Sequence, residues 1–465
     1  MTLDDALTIH IYNTRDVRIQ RMAYENAMLE YGIYRKSLLP SVQFDVSPLS
    51  FNHSMKMLQS AVSGEYTNVD EFSNSTSAGI TVRQTIGATG GVLSLGSSLS
   101  YLREFSSETN SFSARPLFVS YSQQLFGGRK SFRYKKTVSE KTRDKAVKDY
   151  VAAVTAEEQT IVRLYMDALT AKTDREYYTR VCSIGDTLVT HARLRLRSGA
   201  IIEYDCNQVE LQQMANRMSL VKSNKEYVNA LRLLEMELGL EDIDVCEPKG
   251  IAFPIEMSWG HVMELARKNN VEYIENDLQR MNAEYTLYST RLTNSFNASV
   301  SLTYGLNQYG RTLGEAYKRP NQQQAVSITL AIPVFEWGAG RDRIRIARNK
   351  YEAAVMQQER AMESFERRVL ESVNAYNRSV EAMGIAEKRY ALARRQFEFA
   401  VKSFAVGKLG VVELSSAESE LLRAKQEFVG VQRELYATYY QIRHIAVYDF
   451  INDKDIEIKL YDKEG

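Results

Sequence analysis

The chain has 465 residues, with 59 basic and 58 acidic side chains and a formal net charge of +1. This balance excludes the basic surface of a nucleic-acid-binding protein and an acidic tail. The three cysteines, Cys182, Cys206 and Cys246, contain no CxxC pair. The sequence therefore predicts neither a disulfide framework nor a zinc site.

The hydropathy pattern leaves two classes of protein open. No run of 18 or more apolar residues occurs, so no transmembrane helix is expected. The chain could be soluble, or it could form a membrane β-barrel, whose alternating strands produce no apolar run. The N-terminus shows no signal peptide, which an outer-membrane protein needs, so residue 1 is expected to be a mature end or an engineered start.

The first half of the chain predicts a helix, then strands, then a helical hairpin. Residues 2–38 have helical spacing and an acidic start. Residues 41–126 alternate apolar with small polar side chains, as β-strands do. Residues 130–238 are apolar-periodic and charged, which predicts a coiled-coil hairpin with its turn at Gly199.

The same order of elements returns in the second half. Residues 258–292 predict a helix, residues 296–333 predict strands, and residues 341–450 predict a second coiled-coil hairpin. A repeated order of elements indicates a duplicated unit. The expected divisions are a first repeat, a linker, a second repeat and a loose C-terminal tail: 1–238, 239–257, 258–450 and 451–465.

The long helix of the second hairpin carries an apolar residue at every seventh position, and the returning helix carries a complementary set. Heptads sustained over this length indicate a coiled coil, whereas an ordinary core helix is seldom so long. In the first hairpin the seam is interrupted at Arg175. The second seam consists of Val355, Met362, Val369, Tyr376, Met383, Tyr390, Phe397 and Phe404, facing Leu414, Leu421, Phe428, Leu435 and Ile442.

The strands have one apolar face and one small polar face. Two apolar faces could bury each other in a soluble sandwich. In a membrane, the apolar face would contact lipid and the polar face would line a wet lumen. One chain has too few strands to close a barrel, and open edges do not occur in lipid. The membrane hypothesis therefore requires several copies, most simply in cyclic symmetry.

With these features, residues 2–450 resemble the TolC-like outer membrane efflux proteins, also called outer membrane factors. The resemblance is carried by the strand start, the two exits from strand to helix, and the second helical turn. Their sequences are LLPSVQFDVS (38–47), QLFGGR (124–129), IPVFEWGAGR (332–341) and VGKLGVVELSSAESELLRAKQEF (406–428).

The resemblance implies a mainly α fold with a β-barrel part. Three copies would share a 12-stranded outer-membrane β-barrel, continuous with a long periplasmic α-helical coiled-coil barrel and an equatorial belt around the linker and tail. The expected location is the outer membrane of a Gram-negative bacterium. The expected partners are two further copies, outer-membrane lipid, a periplasmic adaptor (membrane fusion) protein and an inner-membrane pump of RND or ABC type.

The function implied by the resemblance is passive conduction of drugs or other small molecules to the exterior. A type I protein secretion channel with the same fold is the alternative. A soluble structural coiled-coil protein is a third hypothesis from a different class. No catalytic constellation, cofactor motif or metal-ligand cluster is found, so we expect no enzyme activity and no cofactor.

Two sets of site residues follow from the resemblance. The adaptor-binding tip is expected at Val406, Gly407, Lys408 and Leu409, with a weaker first-repeat copy at Ser198, Gly199 and Ala200. Lys408 departs from the family pattern. The pore constriction is expected at Glu413, Ser416 and Asp205, although Ser416 replaces the family's second acid. Glu413 could instead be a solvated acid in the first turn of its helix.

Residues 77–104 depart from the family pattern. They predict an extra hairpin around the GATGG turn (87–91), beyond the family's usual four strands per copy. This hairpin could enlarge the barrel, or it could lie outside it as a plug or lid.

Overall fold

The structure is a computed structural model of the chain, which describes residues 1–59, 64, 66–105, 107–246 and 253–456. It contains two compact units. We call them the helical unit (Met1–Asn26, Asp144–Asn276 and Glu359–Gly465) and the sheet unit (Ala27–Arg143 and Asp277–Gln358). Within the described ranges, no helix combines the length and the apolar character that crossing a bilayer requires.

Among its described residues, the sheet unit contains one antiparallel sheet whose six strands lie in sequence order. The strands are β1 (Ser41–Gln59), β2 (Tyr66–Ile86), β3 (Gly91–Glu104), β4 (Thr109–Gln124), β5 (Asn297–Gly310) and β6 (Asn321–Ala331). Because the strands of both repeats pair in this one sheet, the hypothesis of two sheets packed as a sandwich is wrong. β1 and β6 form the two edges.

The extra hairpin predicted at 77–104 is part of this sheet. Its residues lie in β2 and β3, which pair with β1 on one side and β4 on the other. The plug or lid alternative is therefore wrong. Gly90, in the turn, has a φ of +75°, and a Cβ there would lie 2.7 Å from the carbonyl oxygen of Gly128. The turn therefore requires glycine at this position.

The apolar face of the edge strands is uncovered in the chain. Val42, Phe44 and Val46 of β1 are exposed, as are Ile328 and Leu330 of β6. Each set falls on alternate positions, so it points to one side of its strand. A short helix, α7 (Leu313–Lys318), lies between β5 and β6.

Each of the two shorter helices predicted from the sequence is divided in two. The helix expected at 2–38 consists of α1 (Leu3–Asn13) and α2 (Arg15–Lys36), and the helix expected at 258–292 consists of α5 (Trp259–Asn269) and α6 (Val271–Thr293). The second break is caused by Asn270. Its side-chain oxygen accepts from the N–H of Glu272 at 2.9 Å, which caps α6.

The four long helices form two hairpins. The first hairpin is α3 (Gly128–Arg197) with α4 (Glu203–Leu238), and the second is α8 (Ala339–Ala405) with α9 (Val411–Ala446). α3 continues through Arg175, whose guanidinium lies 4.2 Å from the ring centre of Tyr227. Eight seam residues in the helical unit are buried, whereas Met362, Met383, Tyr390 and Phe428 are half-buried. The buried ones are Val369, Tyr376, Phe397, Phe404, Leu414, Leu421, Leu435 and Ile442.

The described parts of the linker and tail pack against the helices. Val245 and Met257 are buried, and the N–H of Met257 donates to Asn377 Oδ1 at 2.9 Å. The tail was expected to be loose from residue 451. Its described residues include β8 (Lys454–Asp455), which pairs with β7 (Tyr448–Asp449) at the end of the second hairpin. Asp455 of β8 forms an ion pair with Lys268 of α5, with 2.9 Å between Oδ2 and Nζ. Residues 247–252 of the linker and 457–465 of the tail lie outside the described residues.

Candidate functional site

The predicted tip residues of the first repeat lie in the turn between α3 and α4, which we call the first tip (198–202). The N–H of Ala200 donates to the carbonyl of Arg195 at 2.9 Å, and the N–H of Gly199 donates to that of Leu196 at 3.0 Å. This pair of bonds is a Schellman ending, which needs a left-handed residue. Gly199 supplies it with a φ of +72°.

The turn between α8 and α9, the second tip (406–410), is built in the same way. The N–H of Lys408 donates to the carbonyl of Ser403 at 2.9 Å, and the N–H of Gly407 donates to that of Phe404 at 3.0 Å. Gly407 has a φ of +78°. Gly199 and Gly407 are 208 positions apart, so the same ending recurs at corresponding positions of the repeats.

The two tips meet in the helical unit through Arg195. Its guanidinium lies 5.5 Å from the ring centre of Phe404. A Cβ added to Gly407 would lie 3.7 Å from Arg195 Nη2. The structure therefore brings the two sets of predicted tip residues together, and Arg195, which the sequence analysis did not single out, connects them.

The side chains of the tips are available to a partner. Val406 and Lys408 are exposed, as are all three predicted residues of the first tip, whereas Leu409 is half-buried and packs against the apolar core below. Exposed turns next to a rigid core are suited to docking.

The predicted constriction residues lie just after the tips. Asp205 and Glu413 each occupy the third position of their returning helix, and Ser416 is exposed one turn beyond Glu413. A carboxylate oxygen of Glu413 lies 2.6 Å from where a Cβ on Gly410 would sit, so the carboxylate turns back over the helix start. This geometry favours the helix-cap interpretation of Glu413 in a single chain. The constriction role stays a prediction.

Beneath the first tip, the hairpin interior is polar. Gln213 of α4 is only 5% exposed and faces Gly185 of α3. A Cβ on Gly185 would lie 1.8 Å from Gln213 Oε1, so glycine makes the space for this amide. Gln213 Nε2 donates to the carbonyl of Cys182 at 2.9 Å and to Asp186 at 2.8 Å. Gln213 Oε1 is buried with no hydrogen-bond partner in the described part of the chain.

The corresponding glutamates of the two repeats have different surroundings. Glu210 accepts from Arg193 at 2.7 Å near the surface. Glu418, 208 positions later, accepts from Asn216 Nδ2 at 2.9 Å. The Arg193 hydrogen bond lowers the pKa of Glu210, whereas burial raises the pKa of Glu418 above its usual value.

The Asn216–Glu418 hydrogen bond joins α4 of the first hairpin to α9 of the second. The sequence shows that Glu210 and Glu418 correspond, but their spacing alone does not show that burial raises the pKa of Glu418 while an arginine lowers that of Glu210. Gly185 was the visible sign of a special contact, because glycine in a long helix usually has a packing reason. In the described ranges, no cluster of His, Cys, Asp and Glu could hold a metal ion.

The sequence model of the outer membrane efflux protein family matches residues 263–446, which include the second hairpin. Over this segment the chain is similar to the TolC-like outer membrane efflux proteins. The resemblance found in the sequence is thus confirmed, and the matched segment contains the more specific of the two tips. A search of characterised proteins by sequence gives no significant match.

Several solved structures of outer-membrane proteins share the fold of this chain. VceC of Vibrio cholerae has a TM-score of 0.68 at 12% identity, covering 96% of this chain and 95% of its own. The CmeC channel of Campylobacter jejuni has a TM-score of 0.66 at 14% identity, covering 98% and 87%. The open-state MtrE channel of Neisseria gonorrhoeae has a TM-score of 0.58 at 14% identity, covering 96% and 88%. These values show the same fold over nearly the whole chain.

Proposed function

We propose that this protein is one protomer of an outer-membrane efflux channel, which conducts small molecules passively as the duct of a tripartite pump. The observation that carries the proposal is the sheet. It has two free edges and an uncovered apolar face, as a barrel segment in lipid would before its neighbours join it.

The exits from sheet to helix support a membrane boundary at this point. Val334, Phe335 and Trp337 are 91%, 70% and 90% exposed in the stretch between β6 and α8. Such exposed rings are typical of a membrane interface. Exposed basic residues follow at the starts of both long helices: Arg129, Lys130, Arg133, Lys135, Lys136, Arg341, Arg343, Arg345, Arg348 and Lys350. Basic side chains of this kind suit the headgroup region.

Assembly with two further copies is supported by exposed apolar stripes on the long helices. On α8, exposed apolar residues recur every seven positions, and α4 carries a similar stripe. A heptad stripe that its own chain leaves exposed fits a helix of another protomer. The stripes are Ile385, Leu392 and Phe399 on α8, continued by Val406 of the second tip, and Leu211, Met214, Met218 and Val221 on α4.

The strand count changes the expected barrel. Six strands per chain would give 18 strands in a trimer (3 × 6), instead of the 12 implied by the family resemblance. Barrel diameter grows with the number of strands. We therefore propose a wider outer-membrane end than a 12-stranded barrel would have, built with β2 and β3 as the added pair.

Insertion into planar bilayers tests the channel. The purified protein should form trimers that conduct ions, and trimers that never conduct under any gating condition would contradict the proposal.

Gly407→Pro and Gly199→Pro test the tips, because proline cannot adopt a positive φ. We expect both variants to form trimers but to lose adaptor co-purification and transport. Gly384→Ala, in the middle of α8 with open space around it, is the control. Normal transport in both proline variants would remove the tip assignment.

A further inference from the structure

A small cavity lies beneath the tips and is lined by residues of all four long helices. Its volume is about 50 Å³, and a buried water needs about 10–15 Å³ measured in this way. Its polar lining includes Gln213, Asn216 and Glu418, and Gly185 forms part of its wall. Gln213 and Asn216 are 5% and 7% exposed. The cavity therefore presents fixed hydrogen-bonding side chains inside a coiled coil.

This cavity contains a buried hydrogen-bond acceptor, Gln213 Oε1, that has no donor among the described residues. The orientation of the Gln213 amide is fixed, because Nε2 donates to the Cys182 carbonyl and to the Asp186 carboxylate, which are both acceptors. Its Oε1 is left as a buried acceptor without a donor. One of the two N–H donors of Asn216 Nδ2 is used by Glu418. An ionised Glu418 would add further acceptors to the same cavity, whereas a protonated one would add a donor.

We propose that the carboxyl group of Glu418 is a proton-binding site that joins the two hairpins. In the protonated form it accepts from Asn216 through one oxygen. Its O–H serves the acceptor at Gln213, directly or through a water in the cavity. Loss of the proton leaves a charge among acceptors and weakens the contact of α9 with α4. The site itself does not depend on the proposed channel function, although its consequence, looser packing beneath the tips, would act on the channel's tip end.

Titratable and charged groups from all four long helices surround Glu418. On α3, burial raises the pKa of Tyr177, Tyr178 and Cys182, so these groups stay neutral. Asp186 is hydrogen-bonded to Arg217 of α4, which lowers the pKa of that carboxyl and keeps it ionised. The remaining groups are Tyr390 of α8 and Lys425 of α9, whose Nζ lies 5.6 Å from the ring centre of Tyr177 and 5.9 Å from that of Tyr390.

The sign of the pH dependence follows from burial. Because the packed state raises the pKa of Glu418, it binds the proton more tightly than the loosened state does. The contact is therefore strongest at pH values below the ordinary glutamate pKa, and it weakens as pH rises through the raised one. One linked proton changes the opening equilibrium by at most about tenfold per pH unit.

Hydrogen exchange on the intact protein tests the site, with peptides covering 206–216 and 412–421 followed from pH 5 to 9 and corrected for intrinsic exchange. The wild-type protein should lose protection as pH rises, by up to about tenfold per unit. Glu418→Gln, which mimics the protonated acid, should be protected at every pH. Glu210→Gln removes the corresponding glutamate of the first repeat and should retain the wild-type profile.

A second variant keeps the test decisive if Glu418→Gln folds poorly. Gln213→Leu removes the acceptor that favours the protonated acid, so the midpoint of the wild-type profile should move to lower pH. An unchanged pH profile in Glu418→Gln, or its loss in Glu210→Gln, would overturn the proposal. The outcome is separable from the channel hypothesis, because exchange is measured without conductance. A protein that never conducts could still show this profile.

Discussion

The first and second tips have the same backbone and different interiors. Both end a long helix with a Schellman turn around a glycine of positive φ. Below the second tip, the positions that correspond to Gly185 and Gln213 are Ala393 and Leu421, both buried in an apolar cluster. Below the first tip, the amide of Gln213 is bonded to its own hairpin. The two hairpins therefore share the turn, but the interior is apolar below the second tip and hydrogen-bonded below the first.

This difference predicts that the free energy of opening differs between the two hairpins. An apolar interior holds at any pH and tolerates volume-conserving exchanges. A polar interior depends on every partner being present, because an unpaired buried polar group is expensive. The polar hairpin is also the one whose Asn216 contacts Glu418, so the first repeat contributes the part of the contact that can be switched.

The largest expected loss of stability is at the second tip, whose interior is apolar. Phe404 is 1% exposed, and its ring packs against the guanidinium of Arg195 of α3. Phe404→Ala should therefore destabilise the second hairpin by about 3–5 kcal/mol. Leu196 is the corresponding residue of the first repeat and is only half-buried. Leu196→Ala should therefore cost less. Local opening free energies from hydrogen exchange measure both variants, and equal costs would contradict the claimed asymmetry.

An intermediate effect is expected at Gly185. A methyl group there would displace Gln213 from its bonds to Cys182 and Asp186. Gly185→Ala should destabilise the first hairpin by about 1–3 kcal/mol, despite the better helix propensity of alanine. Adding Gln213→Leu recreates the alanine and leucine of the second repeat, and it should restore part of the loss in a thermal unfolding series. A double variant less stable than Gly185→Ala would show that the interiors are not interchangeable.

The smallest effect should be the same at both tips. Gly407→Ala and Gly199→Ala each place a side chain at positive φ, which costs about 1–2 kcal/mol. A Cβ at Gly199 meets nothing within 4 Å, and one at Gly407 makes only ordinary contact with Arg195. Melting temperatures should therefore fall by similar amounts. A much larger fall for one variant would mean that its turn has a constraint beyond the backbone.

Much of the helical fold was predictable because its signals are local. The seam positions Val369, Tyr376 and Phe404 follow a heptad, and they are buried as expected. The breaks at Thr14 and Asn270 were missed. Asn270 acts through a side-chain cap and through a hydrogen bond to the carbonyl of Ile445, which is distant in sequence. Periodicity reports the face of a helix, but it does not report such a cap inside an apolar pattern.

The sequence by itself determined the duplicated order of elements, the coiled-coil seams and the two tip turns. Each of these depends on spacing along one segment, or on glycine at a position that needs positive φ. The three-dimensional fold was needed to show that β2 and β3 join the sheet, that Gly185 accommodates Gln213, and that the pKa of Glu418 is raised while that of Glu210 is lowered. The physical reason is that strand pairing, close packing and desolvation depend on residues distant in the chain, and two glutamates at corresponding positions acquire different pKa values from their neighbours alone.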